Sequence, residues 1–490
     1  MKKRLFYIFL FAFSVLFCAC SDYDSYSVDS SFRLDFSDDT VRFDTLISTI
    51  ASPTKTLCVF NNNSNGVRVS NIRLLKGEES LFRVNVDGEY LAQGSGNDYL
   101  IRKNDSILVR IEVTMPESGT TDTVSYSDEL LFNLENGVQQ RVLLTAGSVD
   151  AYIIHGMVID SDITLNADKP YLIYDSLVVS KGARLNLLPG TKLLMHDSTS
   201  VEVYGQINAQ GTIQRPVVFR GARTDRMFDY LFYDNMPSRW KGITIHEGSY
   251  NNYFVNCDLH SGRWGIRVDS TSLDRLALTM QNCIIHNVGG DGLRLDNCNA
   301  EIFNTQISNT LGDCVNIFGG AYTFCHCTIA QYYPLSYDRG NALFVANVDK
   351  DNQLHHELRY AQFLNCVITG YADDVIMGNL SPDYEDSDYY YFQNCFLRTV
   401  EVEDEDDNEE HFVCCKFENK EMALVGEKNF KVFDTHNFIY DFTPDSLSEI
   451  RNMADPLLMN GMISDRLGRS RSADEAPDAG CYEYIMPQKK

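Results

Sequence analysis

A six-residue phrase recurs seven times between Phe254 and Phe417, and such a repeat leaves few folds open to the chain. Its first instances are Phe254-Val-Asn256-Cys257-Asp-Leu259, Met280-Gln-Asn282-Cys283-Ile-Ile285, Ile302-Phe-Asn304-Thr305-Gln-Ile307 and Phe324-Cys-His326-Cys327-Thr-Ile329. Three more follow: Phe363-Leu-Asn365-Cys366-Val-Ile368, Phe392-Gln-Asn394-Cys395-Phe-Leu397 and Phe412-Val-Cys414-Cys415-Lys-Phe417. Aligned on the Cys/Thr position, the steps are 26, 22, 22, 39, 29 and 20 residues. Units of that size mark a solenoid, in which a unit buries its apolar face only by stacking on neighbours. Apolar residues at alternate positions make the phrase a strand rather than a helix. A second strand signal trails it in Gly265-Ile-Arg-Val268, Gly292-Leu-Arg-Leu295, Cys314-Val-Asn-Ile317, Ala342-Leu-Phe-Val345 and Asp374-Val-Ile-Met377. Gly, Asn and Asp are frequent in the gaps, as turns require. Two or three short strands per unit, joined by turns, make one coil of a parallel β-helix. Roughly ten coils stacked at about 4.8 Å would give a rod about 50 Å long.

Two columns run through the repeat. Asn256, Asn282, Asn304, Asn365 and Asn394, with His326 and Cys414 in the remaining places, fit a ladder of stacked side-chain amides. Cys257, Cys283, Cys327, Cys366, Cys395 and Cys415 fall on the other side of the same strand and read as small, inward-facing core residues. No paired C-x2-C spacing supports zinc, since Cys325-x-Cys327 and Cys414-Cys415 are too close. In-register stacking also holds neighbouring Cβ atoms near ~4.8 Å, beyond the ~3.5–4.5 Å of a disulfide.

The chain begins differently. Lys2-Lys3-Arg4 precede an apolar run over residues 5–17, too short to span a membrane comfortably. Residues 1–19 thus read as a signal peptide and 20–29 as a tether. The stretch Phe17-Cys18-Ala19-Cys20 resembles a bacterial lipobox, which implies cleavage before Cys20 and lipidation at Cys20. Several acyl chains hold a protein stably where one is marginal. Ser21-Asp22-Tyr23-Asp24 resembles the signal that sends some Bacteroidetes lipoproteins to the outer face of the outer membrane. The expected location is the outer membrane, on its periplasmic or cell-surface face, with membrane lipid as one partner. The net charge is −26, and loss of the three leading cations leaves −29. Nucleic acid and anionic lipid surfaces would be repelled, which excludes them as partners. Acidic polysaccharides fit only with a local basic patch or a bound cation.

Residues 30–148 lack the repeat. Short strands recur there, among them Leu57-Cys-Val-Phe60, Phe82-Arg-Val-Asn-Val86 and Ile107-Leu-Val-Arg-Ile-Glu-Val113, separated by turns such as 61–66 and 116–119. About seven strands over this length predict a β-sandwich of immunoglobulin-like character. Cys58 is alone in the unit, so the antibody-type disulfide is absent. The β-helix is expected over 151–420, opening with coils near 177–191 and 201–212, and residues 421–490 close the chain.

Taken together, the opening coils, Trp240-Lys-Gly242-Ile-Thr-Ile245, the Asn-Cys column and Asp478-Ala-Gly-Cys-Tyr-Glu-Tyr484 resemble right-handed β-helix proteins of the pectate-lyase-like superfamily. More narrowly, the chain is similar to lipid-anchored β-helix proteins of Bacteroidetes. That resemblance implies the fold, all-β with a sandwich ahead of a right-handed parallel β-helix. It implies little about activity, because this fold hosts lyases, hydrolases, adhesins and scaffolds.

No lyase signature of calcium-binding acids with a proton-abstracting base is recognisable. For a polygalacturonase-type hydrolase, Gln306 stands where Asp is needed, and neither Gly-His-Gly nor Arg-x-Lys follows Asp373-Asp374. Two adjacent carboxylates read as a turn rather than a catalytic pair. The richest polar stretch holds His246, His260, Arg263, Trp264, Arg267, Asp269, His286, Asp291 and Arg294, from three consecutive coils. Arg263, Trp264 and His286 are the candidate ligand contacts, by ring stacking and hydrogen bonding to a sugar. Tyr384, Tyr389, Tyr390 and Tyr391 fill one insertion, and eight acids crowd residues 401–410. The acidic run reads as a solvated loop or, in its sharper reading, a calcium site. The expected function is a non-catalytic cell-envelope lipoprotein whose β-helix binds glycan or protein. A polysaccharide lyase or glycoside hydrolase with an atypical site, and a structural or adhesion component, are the alternatives.

Overall fold

A computed structural model describes residues 25–228, 230–351, 353–401, 410–418 and 428–484. Cys20, its neighbours 21–24 and most of the acidic run, 402–409, lie outside the described residues. The chain divides into two compact units, Met1–Asp150 and Ala151–Lys490.

The first unit is a β-sandwich of two five-stranded sheets. Lys55–Asn61, Asp105–Val113 and Phe82–Val86 are central to one; Gln139–Val149, Val124–Leu134 and Val67–Leu74 are central to the other. Their alternate residues, such as Leu57, Val59, Val109, Ile111, Ile72, Phe132 and Leu144, are fully buried between the sheets. Thr40–Ile47 lies parallel to Gln139–Val149, while the other strand ladders are antiparallel. Cys58 is a half-buried free thiol, and the sheets are held by packing.

The second unit is a parallel β-helix with three faces. The first face stacks strands such as Cys257–His260, Ile284–Val288, Gln306–Thr310 and Thr328–Gln331. The second stacks Gly242–Ile245, Ile266–Val268, Leu293–Asp296 and Val315–Phe318. The third is a ten-stranded sheet that includes Asn252–Val255, Leu278–Gln281, Asn299–Phe303 and Gly320–Cys325. Each coil contributes inward residues to one continuous core, including the Ile285, Ile307, Ile329 and Ile368 column. Phe324, Phe363, Phe392 and Phe412 form a face-to-face pile with centroid spacings of 4.9, 4.9 and 5.3 Å. That spacing matches the distance between hydrogen-bonded strands, so the rings stack because the backbone does.

The six-residue phrase is not a single strand. It is a corner: the last residues of a third-face strand, one left-handed residue, then the first-face strand. Asn256, Asn282, Asn304, His326, Asn365, Asn394 and Cys414 all have φ between 46° and 57°. Asn reaches this region more readily than other side chains, which explains the column. A ladder does run along it, but mainly through the backbone. The N–H of Asn256, Asn282, Asn304, His326, Asn365 and Asn394 each donates to a carbonyl of the next coil, at 2.9–3.1 Å. Only Asn365 bonds a column neighbour through its amide, 3.0 Å from His326 Nε2, and the Asn282 Oδ1 is buried without a partner. The corner also shifts the apolar spacing from two to three between Phe254 and Cys257.

After the corner, the column Cys257, Cys283, Cys327, Cys366 and Cys395 is buried and free. The Cys366 and Cys395 sulfurs accept the N–H of the cysteine one coil earlier, at 3.4 and 3.3 Å, and Thr305 Oγ1 does the same for Cys283 at 3.3 Å. Burial pushes the other core thiols, Cys298, Cys314 and Cys325, up to about 12. Such thiols are chemically quiet.

Residues 445–484 run back along the outside of the corner column. The Asn394 amide donates to Met453 O, that of Asn365 to Asp455 O and that of Asn304 to Ser464 O. The 478–484 motif then ties the tail to itself and to the coils. Asp478 accepts the N–H of Asn452 and Tyr484, Cys481 N–H donates to Thr328 Oγ1, and Tyr482 donates to Gln306 Oε1 at 2.6 Å. Fully buried Arg471 pairs with Glu483 at 2.5 Å and donates to Asn304 Oδ1 at 2.7 Å.

The backbone account of the Asn column has a clean test in Asn282. Asn282→Ala should destabilise by about 1–2 kcal/mol, the cost of a left-handed Cβ, whereas Asn282→Gly should cost well below that. Equal losses in chemical denaturation would restore the amide ladder. In native thiol labelling, exposed Cys414 should react fast and the buried column only on unfolding.

Candidate functional site

The polar residues of the three middle coils do not share one face. Along Cys257–His260 the side chains alternate, so Asp258 and His260 point outward between buried Cys257 and Leu259. His286 follows on the next coil, paired in register with His260. Arg267 and Arg294 stand in register on the second face. Arg294 is held by Asp296 at 3.0 Å and Asp291 at 3.7 Å. His246 sits between Glu202 at 2.8 Å and Asp269 at 3.0 Å, its ring stacked on Tyr204.

Arg263 and Trp264 occupy the turn between the two faces. Arg263 is exposed, but Trp264 is half-buried. Its ring lies against Gly242, where any Cβ would come within 2.5 Å of Trp264 Cδ1, and its indole N–H is buried without a partner. Arg267 lies 5.6 Å from the ring centroid. The indole is a packing element here. Trp264→Ala should therefore lower stability by about 2–3 kcal/mol, less than a fully buried tryptophan; an unchanged melting temperature would show the ring to be free.

Two other polar segments have local roles. Asp374 accepts the Ile376 N–H and the Thr399 hydroxyl, closing a turn, while Asp373 is exposed near Arg398. In the tyrosine-rich insertion, Asp386 is buried and accepts from Leu358 N–H, the Asn347 amide and His355. His355 stacks on Tyr384 at 3.7 Å, docking the insertion onto the coils.

His286 opens instead on a cleft of about 640 Å³ over the first face. The floor is Ile284, His286, Gln306 and Ser308. One wall is the 222–239 insertion, with Arg226, Tyr230 and Phe232; the other is the hairpin of Phe430–Asp434 and Ile439–Pro444, with Phe438, Tyr440 and Asp441. Arg466, Leu467 and Tyr482 of the tail complete it. Tyr230 and Phe438 stack on one another where the two walls meet, with centroids 6.5 Å apart. Phe438 is held at φ 57°, an unusual conformation for a bulky residue and a mark of constraint. Tyr230 is 54% exposed, and its ring also stacks on Phe228 at 5.7 Å. Arg226 lies over the Phe232 ring at 4.0 Å.

Beside the cleft, Asp258, His260 and His286 form a tight cluster. Asp258 Oδ1 is 2.9 Å from His260 Nδ1 and 3.3 Å from His286 Nε2. His260 Nε2 is 3.3 Å from Asp234 Oδ1, and Asp234 is also paired with Arg220. Burial alone would lower the His260 pKa, but the Asp258 and Asp234 carboxylates outweigh it and push it up to about 9. The sequence offers His260 and His286, 26 residues apart like Cys257 and Cys283, but Asp258 was missed, and its only signal is its place two residues before His260 in the same strand.

No family model matches the chain, and no curated protein matches it in sequence. Among solved structures, it is similar to the catalytic unit of a thermostable GH87 α-1,3-glucanase from Streptomyces thermodiastaticus, at 11% identity over 70% of this chain and 72% of that one, TM-score 0.25. It is similar to the PapD-like domain 7 of human CEP192, at 13% identity over 25% of this chain and 88% of that one, TM-score 0.17. It also matches the VesB protease of Vibrio cholerae, at 13% identity over 24% of this chain, spanning only 31% of the protease, TM-score 0.17. Likenesses at this level carry no function across.

Proposed function

We propose that the protein is a lipid-anchored cell-envelope protein whose β-helix binds a neutral glycan, without catalysis, in the cleft between the 222–239 insertion and the C-terminal hairpin. The observation that carries this reading is the aromatic rim of the cleft, Tyr230 and Phe232 on one wall and Phe438 and Tyr440 on the other, over a polar floor. Aromatic faces stack on the apolar faces of sugar rings, and polar floor groups fix their hydroxyls. The volume lies in the range of ordinary small-ligand sites, roughly 300–1,000 Å³. The charge of −26 disfavours polyanions at long range, and Asp441 offsets one of the two lining cations, Arg226 and Arg466, so neutral sugars are favoured. Of the three residues singled out in the sequence, His286 belongs to this cleft, while Arg263 and Trp264 are not among its lining.

Titration of the full chain against a panel of neutral and acidic polysaccharides tests the proposal. A neutral glycan should bind, and Tyr230→Ala or Phe438→Ala should each weaken it about tenfold, the loss of one stacking face. Release of reducing ends or unsaturated sugars from the same panel would overturn the non-catalytic part and favour a hydrolase or lyase. For the anchor, Cys20→Ala should move the protein from the membrane fraction to the soluble one. Full acylation of that variant would refute lipidation at Cys20.

A further inference from the structure

We propose that Asp258, His260 and His286 form a binding site for a divalent first-row transition metal ion, zinc being the best fit. One oxygen of Asp258 and one ring nitrogen of each histidine lie within 4.8 Å of one another. Two of the separations, 2.9 and 3.3 Å, are near the edge of a tetrahedron with metal–ligand bonds of about 2.0–2.2 Å, which is about 3.3–3.6 Å. A small opening of the 2.9 Å pair therefore lets an ion replace the shared protons that now join these atoms.

The donors select the ion. Two imidazoles and a carboxylate suit zinc and its first-row neighbours; there are too few oxygens for calcium and no thiolate for copper(I). The framework is rigid, because Asp258 and His260 are alternate residues of one strand and His286 is the in-register partner of His260 on the next. His260 is also oriented from outside the cluster. Its Nε2 faces Asp234 Oδ1 at 3.3 Å, so an Nε2–H donated there leaves the Nδ1 lone pair toward the ion. Arg220 in turn holds Asp234. A carboxylate behind a histidine is the usual outer support of a metal ligand. The His260 side chain is only 8% exposed, while His286, at 26%, lines the cleft, so the remaining coordination positions of the ion are directed there.

The proposal is independent of glycan binding and is tested with the metal alone. Full-length protein, stripped by chelation, should take up one Zn2+ per chain in calorimetry, and Co2+ at the same site should give the visible absorption of a four-coordinate complex. Asp258→Asn, which preserves volume, and His286→Ala should each weaken the high-affinity site at least 10–100-fold, and Asp234→Asn about tenfold through loss of the outer support. Circular dichroism and melting of each variant establish that it is folded; should His286→Ala fail to fold, Asp258→Asn decides alone. His246→Ala, on the second face, should bind Zn2+ as the parent does. Absence of stoichiometric Zn2+ and Co2+ binding, or unchanged affinity in folded Asp258→Asn, overturns the site.

Discussion

The corner between the third and first faces turns, in six successive coils from Asn256 to Asn394, on a single left-handed residue whose backbone N–H reaches a carbonyl of the next coil. Because the turn angle and the hydrogen bond recur at every level, the coils superimpose, and residues one step apart in sequence become neighbours in a column. The cysteine and phenylalanine piles follow from that, as does the placement of His260 directly over His286. A slip of one residue in the Cys257–His260 strand would exchange its inward and outward side chains, turning Asp258 and His260 into the apolar core and Cys257 and Leu259 out of it. The apolar column therefore enforces the register on which the polar cluster depends.

The coils were legible because stacking forces periodicity on the sequence, and the sandwich because its strands alternate cleanly. The corner was less so. Asparagine is chosen both for amide ladders and for left-handed backbone, and a residue name does not reveal φ; only the spacing of three from Phe254 to Cys257 betrays the bend. The polar residues could be assigned to consecutive coils but not to faces, since that requires the inward phase of every short strand. An indole offered to a sugar and one packed on Gly242 look alike in sequence. The cleft was the least legible part. Its walls, residues 222–239 and 430–444, lie outside the repeat and meet the coils through contacts with no sequence period.

Those walls are nonetheless tightly determined. On one side Phe430 and Phe442 of the hairpin are buried against Tyr332, and the tail that follows is fixed by a buried network: Arg471 with Glu483 and Asn304, and Asp465 accepting the N–H groups of Leu467, Arg469 and Glu483. Removing one partner from such a network leaves a buried charge unpaired, at a cost of about 3–5 kcal/mol, so partial release of the tail is strongly disfavoured. The tail covers the amides of the corner column, and the coils in turn give it one position.

On the other side the insertion is held by one internal contact and by several to the coils. Arg223 stacks on the Tyr233 ring at 3.6 Å, the Asn287 amide reaches Asn235, and the Ser261 hydroxyl donates to the Asp234 carbonyl. The Asp234 carboxylate meets both Arg220 and His260. Neither contact is made to the cleft itself, yet together they set where Tyr230 and Phe232 stand two to four residues away. The same carboxylate thus orients the imidazole of the histidine cluster and pins the base of the aromatic wall, so the two features of the first face rest on one side chain. Preorganisation of this kind limits the ordering cost of binding, because the wall is already in place when a ligand arrives.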